Sequence, residues 1–183
     1  PVIPGLIRSE VPDEMWTPEE KILKERAQEA APSLRSHLAV HSNDPQTLAS
    51  ALVDSPAGTA AWLWERRHNW SDNNGDVESV FSREDLCTNA SLYWCTGAIT
   101  SSLRIYFEHF NKPWPLVHDH QKIIETPTSY AIFPKDVVML PKKIAEEKTN
   151  LFRWTVMEAG GHFGAAEQPE LLVNDIRETF SQS

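Results

Sequence analysis

The sequence predicts an α/β protein in two parts: a helical, tryptophan-rich part over 17–125 and a strand–helix–strand–helix part over 126–183. Residues 1–16 read as the exit from a strand followed by a linker, because Pro1, Pro4, Gly5 and Pro12 leave no sustained period. Three observations carry this division. Helix-start signals punctuate the first hundred residues: Thr17-Pro18-Glu19-Glu20, Ser55-Pro56 and Ser82-Arg83-Glu84-Asp85. From Ser129 the pattern becomes strand, acidic loop, helix, strand, histidine loop and helix, which predicts parallel strands with crossover helices. The third observation is the stretch 151–183, where Leu151, Phe152, Trp154 and Val156 suit a buried strand and Leu172, Val173, Ile176 and Phe180 recur at helical spacing.

In chain order, the first helix starts at Thr17 with a capping box closed by Glu20. It is expected to stop at Ala31, before Pro32, and to resume over 33–40. Asn43-Asp44-Pro45 reads as a turn, 46–53 as a short helix, and Ser55-Pro56 opens another that runs towards Trp70. Residues 71–76 resemble a calcium loop but lack its spacing and terminal Glu, so they read as a polar turn. A long helix after Ser82 carries Leu86, Leu92, Trp94 and Cys95 and, past Gly97, Leu103, Tyr106 and Phe107. The prolines Pro113, Pro115 and Pro127 make a crossing loop, followed by a strand from Thr128, a helix over 141–148 and a second strand over 151–158. The chain has seven tryptophans. Trp62, Trp64, Trp70 and Trp94 gather in the helical part, where core packing and the lining of an apolar pocket are overlapping explanations.

Composition bounds the function. Hydrophobic content of 40% and charged content of 23% fit a globular chain, and a net charge of −9 argues against nucleic-acid or anionic-membrane partners. No apolar run approaches the ~20 residues that span a bilayer. The opening Pro1-Val2-Ile3-Pro4-Gly5, without Met, reads as mid-protein sequence, and no signal-peptide pattern is visible there. Cys87 and Cys95 on one helix would have Cα atoms about 12 Å apart, too far for a disulfide. They are expected to be free, buried thiols, in keeping with a reducing cytoplasm. His118-Asp119-His120 is a chelating pattern without further ligands nearby, so no metal is expected.

Ala159-Gly160-Gly161 allows a sharp turn with positive φ and sets His162 on a loop between strand and helix. A histidine there can act as a general base near neutral pH or simply cap the following helix; the spacing alone favours neither. Further motifs occur in order with it. These are Leu52-Val53-Asp54-Ser55-Pro56-Ala57-Gly58-Thr59-Ala60-Ala61-Trp62, Ser91-Leu92-Tyr93-Trp94, and Thr128-Ser129-Tyr130-Ala131-Ile132-Phe133-Pro134-Lys135-Asp136. With Gly160-Gly161-His162-Phe163, this ordered set resembles the microsomal-type epoxide hydrolases of the α/β-hydrolase superfamily, from about Thr17 onward.

The resemblance implies that 17–125 is a helical cap and 126–183 the C-terminal part of the hydrolase core. It implies Asp136 as the acid, His162 as the base and Tyr106 as a ring-opening oxygen donor on the cap. It further implies an apolar pocket drawing on Trp62, Tyr93, Trp94 and Phe163. Structural roles stand beside these: a helix N-cap for Asp136, a core aromatic for Tyr106. The family's second cap tyrosine falls at His37, eight residues before Pro45, which reads as a replacement donor, a surface histidine or a mark of altered substrate. The implied reaction converts a small apolar epoxide and water to a vicinal diol through an alkyl-enzyme ester, with no cofactor. The nucleophile-bearing elbow and oxyanion loop do not occur in these 183 residues, so the N-terminal half of the same enzyme is the expected partner. Association as a homodimer stays open. The alternatives are a catalytically inactive module that binds an apolar ligand or partner, and an ester or haloalkane hydrolase.

Overall fold

Capping, rather than hydrophobic patterning, starts the first helix in the computed structural model, which describes residues 11–113, 115 and 118–181. Thr17 Oγ1 accepts from Glu20 N at 3.2 Å while Glu20 Oε2 accepts from Thr17 N at 2.9 Å, the reciprocal pairing of a capping box. Helix α1 (Pro18–Leu34) then runs through Pro32 and breaks at Arg35, not at the proline. The reason is tertiary. Leu34 O accepts the Trp70 indole N–H at 2.9 Å, and Leu38 N turns to Arg35 O at 3.0 Å.

The described residues divide into two compact units, Ala30–Pro113 and the described parts of Pro1–Glu29 with Trp114–Ser183. The helical unit is therefore narrower than 17–125. The start of α1 belongs with the strands: Glu20 Oε1 accepts from Lys142 N at 2.9 Å and Arg26 Nη2 donates to Asp136 O at 3.2 Å. Punctuation marks where a helix begins, not which body buries its face. Most of the expected strand exit, 1–10, lies outside the described residues; Asp13–Met15 form a 3₁₀ turn.

The helical unit contains α2 (Ser36–Asn43), α3 (Pro45–Val53), α4 (Pro56–Trp70), α5 (Arg83–Cys95) and α6 (Ala98–Asn111). Ala49, Leu52, Ile99 and Leu103 form its core, with Leu48, Trp62 and Tyr93 packed against them. Ser55 and Ser82 cap α4 and α5 by accepting from Gly58 N at 3.0 Å and Asp85 N at 3.1 Å. The long helix expected after Ser82 is two helices, split at Gly97, whose φ of 66° is left-handed. Residues 71–76 form the polar turn, with Asn73 Oδ1 accepting from Gly75 N at 2.8 Å. Cys87 and Cys95 are free but exposed, not buried, because α5 turns both outward.

The strand unit places β1 (Ile124–Ile132), α7 (Lys142–Lys148), β2 (Thr149–Val156), α8 (Gly164–Glu167) and α9 (Pro169–Ser181) in that order. β1 and β2 pair in parallel, Tyr130 opposite Trp154 and Ile132 opposite Val156. Both start earlier than expected, and the single turn α8 was not foreseen. Asp175 ties α9 to β2: its buried Oδ1 accepts from Arg153 Nη2 at 2.7 Å and Thr155 Oγ1 at 2.7 Å. Phe152, Val156, Val173, Ile176 and Phe180 remain exposed. That is the apolar surface a pair of strands and their helix present when they are part of a larger sheet.

Candidate active site

Beyond β1 and β2 the two chains stay side by side for a few more residues. Met157 N donates to Ile132 O at 2.8 Å and Lys135 N to Gly160 O at 3.0 Å, a parallel bridge between Lys135 and Gly161. The next residue on each side is Asp136 and His162. Their side chains meet, His162 Nδ1 to Asp136 Oδ1, at 2.8 Å. The same carboxylate oxygen accepts from Val137 N at 2.6 Å. Both side chains are partly open to solvent, 39% for His162 and 33% for Asp136. A carboxylate at Nδ1 fixes the tautomer and leaves proton acceptance to Nε2.

Two glycines let the loop close over Phe133. Gly160 has φ of 105°, and a Cβ there would lie 2.6 Å from the Phe133 ring; one at Gly164 would lie 2.4 Å from it. The turn expected at Gly160-Gly161 is thus a left-handed Gly160 pressed on a buried aromatic. Phe163 sits beside His162, their ring centroids 5.2 Å apart. Sequence reasoning missed Glu167, whose carboxylate accepts from Gly161 N and Phe163 N at 2.7 Å each. Its spacing behind the histidine, at the end of a one-turn helix, gives no signal that it reaches back.

The helical unit gathers a second set. α2 places His37 and His41 one turn apart on its buried face, 5% and 6% exposed. Tyr106 of α6 lies against both, ring centroids 5.4 Å from His37 and 4.8 Å from His41. Of the readings open for His37, a surface histidine is excluded. His41 was not anticipated, although its spacing of four from His37 on a helix would have pointed to it.

Trp62 Nε1 donates to His41 Nε2 at 3.2 Å, so neutral His41 carries its proton on Nδ1. Among the described residues, neither His37 Nδ1 nor His41 Nδ1 has a hydrogen-bond partner. Burial, then the Arg66 guanidinium, pushes His37 down to about 4, against the Leu34 carbonyl that raises it. Burial, then His37 and Arg66, pushes His41 down to about 4. Burial, with Tyr93 adding to it, raises the Tyr106 phenol. At neutral pH all three side chains are uncharged and hold their protons.

The residues expected to line a pocket divide. Trp62 belongs to the histidine cluster and packs with Tyr93 on the core. Trp94 is 39% exposed, because its Nε1 donates to Val53 O at 3.0 Å and lays the ring across the outside of α3. A surface crevice of about 340 Å³ at the start of α3, between Asp44 and Arg104, includes none of them. His118 and His120 stack at 4.3 Å, and His120 Nδ1 lies 2.9 Å from Glu125 Oε1. Among the described residues no three potential ligands converge on a metal position.

No protein-family profile matches the chain. A relative from Stigmatella aurantiaca is 34% identical over 180 residues, 98% of this chain and 40% of its own length. Epoxide hydrolase 1 of Oryctolagus cuniculus is 36% identical over 148 residues, 76% of this chain and 32% of that protein. The crystal structure of juvenile hormone epoxide hydrolase from the silkworm Bombyx mori superposes with a TM-score of 0.78 at 27% identity, over 91% of this chain and 42% of that one. The chain therefore spans between 32% and 40% of the length of these curated relatives.

Proposed function

Because the chain belongs to the epoxide hydrolases of the α/β-hydrolase family, as a part of their length, we propose that it supplies the water-activating and oxygen-stabilising groups of an enzyme that opens an apolar epoxide to a vicinal diol. The observation that carries this reading is the Asp136–His162 contact of 2.8 Å at the ends of neighbouring parallel strands. A carboxylate nucleophile on a segment outside these 183 residues attacks one epoxide carbon. The C–O bond breaks, and its electron pair moves to oxygen, which takes hydrogen bonds and a proton from Tyr106 with His37 beside it. The product of this step is an alkyl ester.

His162 Nε2 then takes a proton from water, and the hydroxide adds to the ester carbonyl. Asp136 steadies the imidazolium. Collapse expels the diol oxygen, which takes the proton of the newly formed carboxyl group and so restores the carboxylate; the imidazolium releases its proton to water, and the Tyr106 phenolate takes one back. No cofactor is needed, since no oxidation occurs.

Isotope labelling tests the sequence of bonds. With the 183 residues completed by the nucleophile-bearing segment, a single turnover in ¹⁸O-water should give diol without label, because the added oxygen comes from the enzyme carboxylate. Label in that first diol would mean direct attack by water and would refute the ester route. These residues alone should give no diol.

A further inference from the structure

His162 lies between two peptide N–H groups that converge on one carboxylate. Glu167 Oε2 takes the Gly161 N–H and Oε1 the Phe163 N–H, both at 2.7 Å. An ionised acceptor binds such donors roughly twice as strongly as a neutral one. The backbone is therefore fixed immediately before and immediately after the histidine. The carboxylate comes from α8, a turn closed by Ala166 N and Glu167 N on Phe163 O at 2.7 and 3.0 Å and by Gln168 N on Gly164 O at 2.9 Å. One helical turn has no stability of its own. Turn and loop hold each other, while Lys135 N on Gly160 O pins the loop's far side to the acid.

We infer that Glu167 is a positioning residue for His162: it fixes the peptide on both sides of the imidazole so that Nδ1 stays on Asp136 and Nε2 stays directed at the ester. This rests on the epoxide hydrolase reading. Gln keeps the shape but has one acceptor oxygen, so its amide meets one of the two N–H groups donor to donor. Asp is one methylene too short to span both. Either change releases one peptide beside the histidine without touching the ring-opening donors.

In the completed enzyme, E167Q and E167D should leave ester formation within about twofold and slow ester hydrolysis about tenfold to a hundredfold, the scale of a small misplacement of a reacting group. kcat and KM should fall together, and alkyl-enzyme should build up in the mass spectrum. Both half-reactions are first order on the bound complex, so their rate constants report folded molecules whatever fraction folds. Equal slowing of both steps, or of neither, overturns the inference and leaves Glu167 a turn-holding residue. His162→Asn is the control. If that variant also accumulates no ester, the epoxide reading fails, and the ¹⁵N spectrum of the His162 imidazole decides for Glu167 by itself. Loss of the Asp136-bonded Nδ1–H signal in E167Q supports positioning; an unchanged signal refutes it.

Discussion

The two units treat their histidines in opposite ways. In the strand unit His162 is paired with a carboxylate and is 39% open to solvent. In the helical unit His37 and His41 are buried against tryptophan and tyrosine rings, with an arginine nearby and, among the described residues, no carboxylate bonded to either Nδ1. A base must gain a proton and pass it on, so it needs an ionic partner and contact with water. A donor to a developing oxyanion must carry its proton, and so be neutral, until the ring opens, and a dry aromatic surround enforces that. On the proposed mechanism, one unit would work by holding charge and the other by excluding it.

The sharpest way to break this comparison is to remove the charged side. His162→Asn should slow ester hydrolysis by about a hundredfold to ten-thousandfold, the usual worth of a general base. Ring opening should survive, so substrate addition should leave a persistent mass adduct. If both half-reactions collapse together, His162 serves ring opening as well and the division of labour is wrong.

Removing the neutral side should do the reverse. Tyr106→Phe deletes one oxygen donor, a loss of ~2.7–4 kcal/mol or about a hundredfold to a thousandfold in rate. Rapid-quench measurement should find ester formation slowed and hydrolysis of preformed ester unchanged. Replacing His37 as well should cost much more than either single change. Unchanged ring opening in Tyr106→Phe would make that tyrosine a packing residue.

What was legible in the sequence was mostly local. The capping pairs at Thr17, Ser55 and Ser82 depend on residues three apart, and all form. Strand–helix alternation announced a parallel pair, and the left-handed turn at Gly160 needed only its glycine. The meeting of Asp136 with His162 came from ordered motifs, since 26 residues separate them. What was not legible depends on distant partners. The break at Arg35 follows from Trp70 taking the Leu34 carbonyl, a bond across 36 residues. The outward face of Cys87, Cys95 and Trp94 depends on which side of α5 the other helices cover. Glu167 was hidden for another reason: a glutamate on a short helix reads as solvated until its carboxylate is seen to turn back on the loop.

Acid should expose the remaining contrast. His37 and His41 stand at about 4 when folded, against an ordinary 6.5. As pH falls below 6.5, the unfolded chain binds protons that the folded unit refuses, and unfolding gains. Stability from their burial is thus complete above 6.5 and is lost as pH falls through about 4. At about 1.4 kcal/mol for each tenfold in proton affinity, the loss is on the order of 3 kcal/mol per histidine. Carboxylates elsewhere also titrate in this range, so a variant has to isolate the effect. His37→Phe with His41→Phe removes both groups while keeping an aromatic fill. Thermal melts of the wild type should fall more steeply than those of the double variant between pH 6.5 and 4. Parallel slopes would mean that water reaches these imidazoles and that burial in the helical unit does not keep them uncharged.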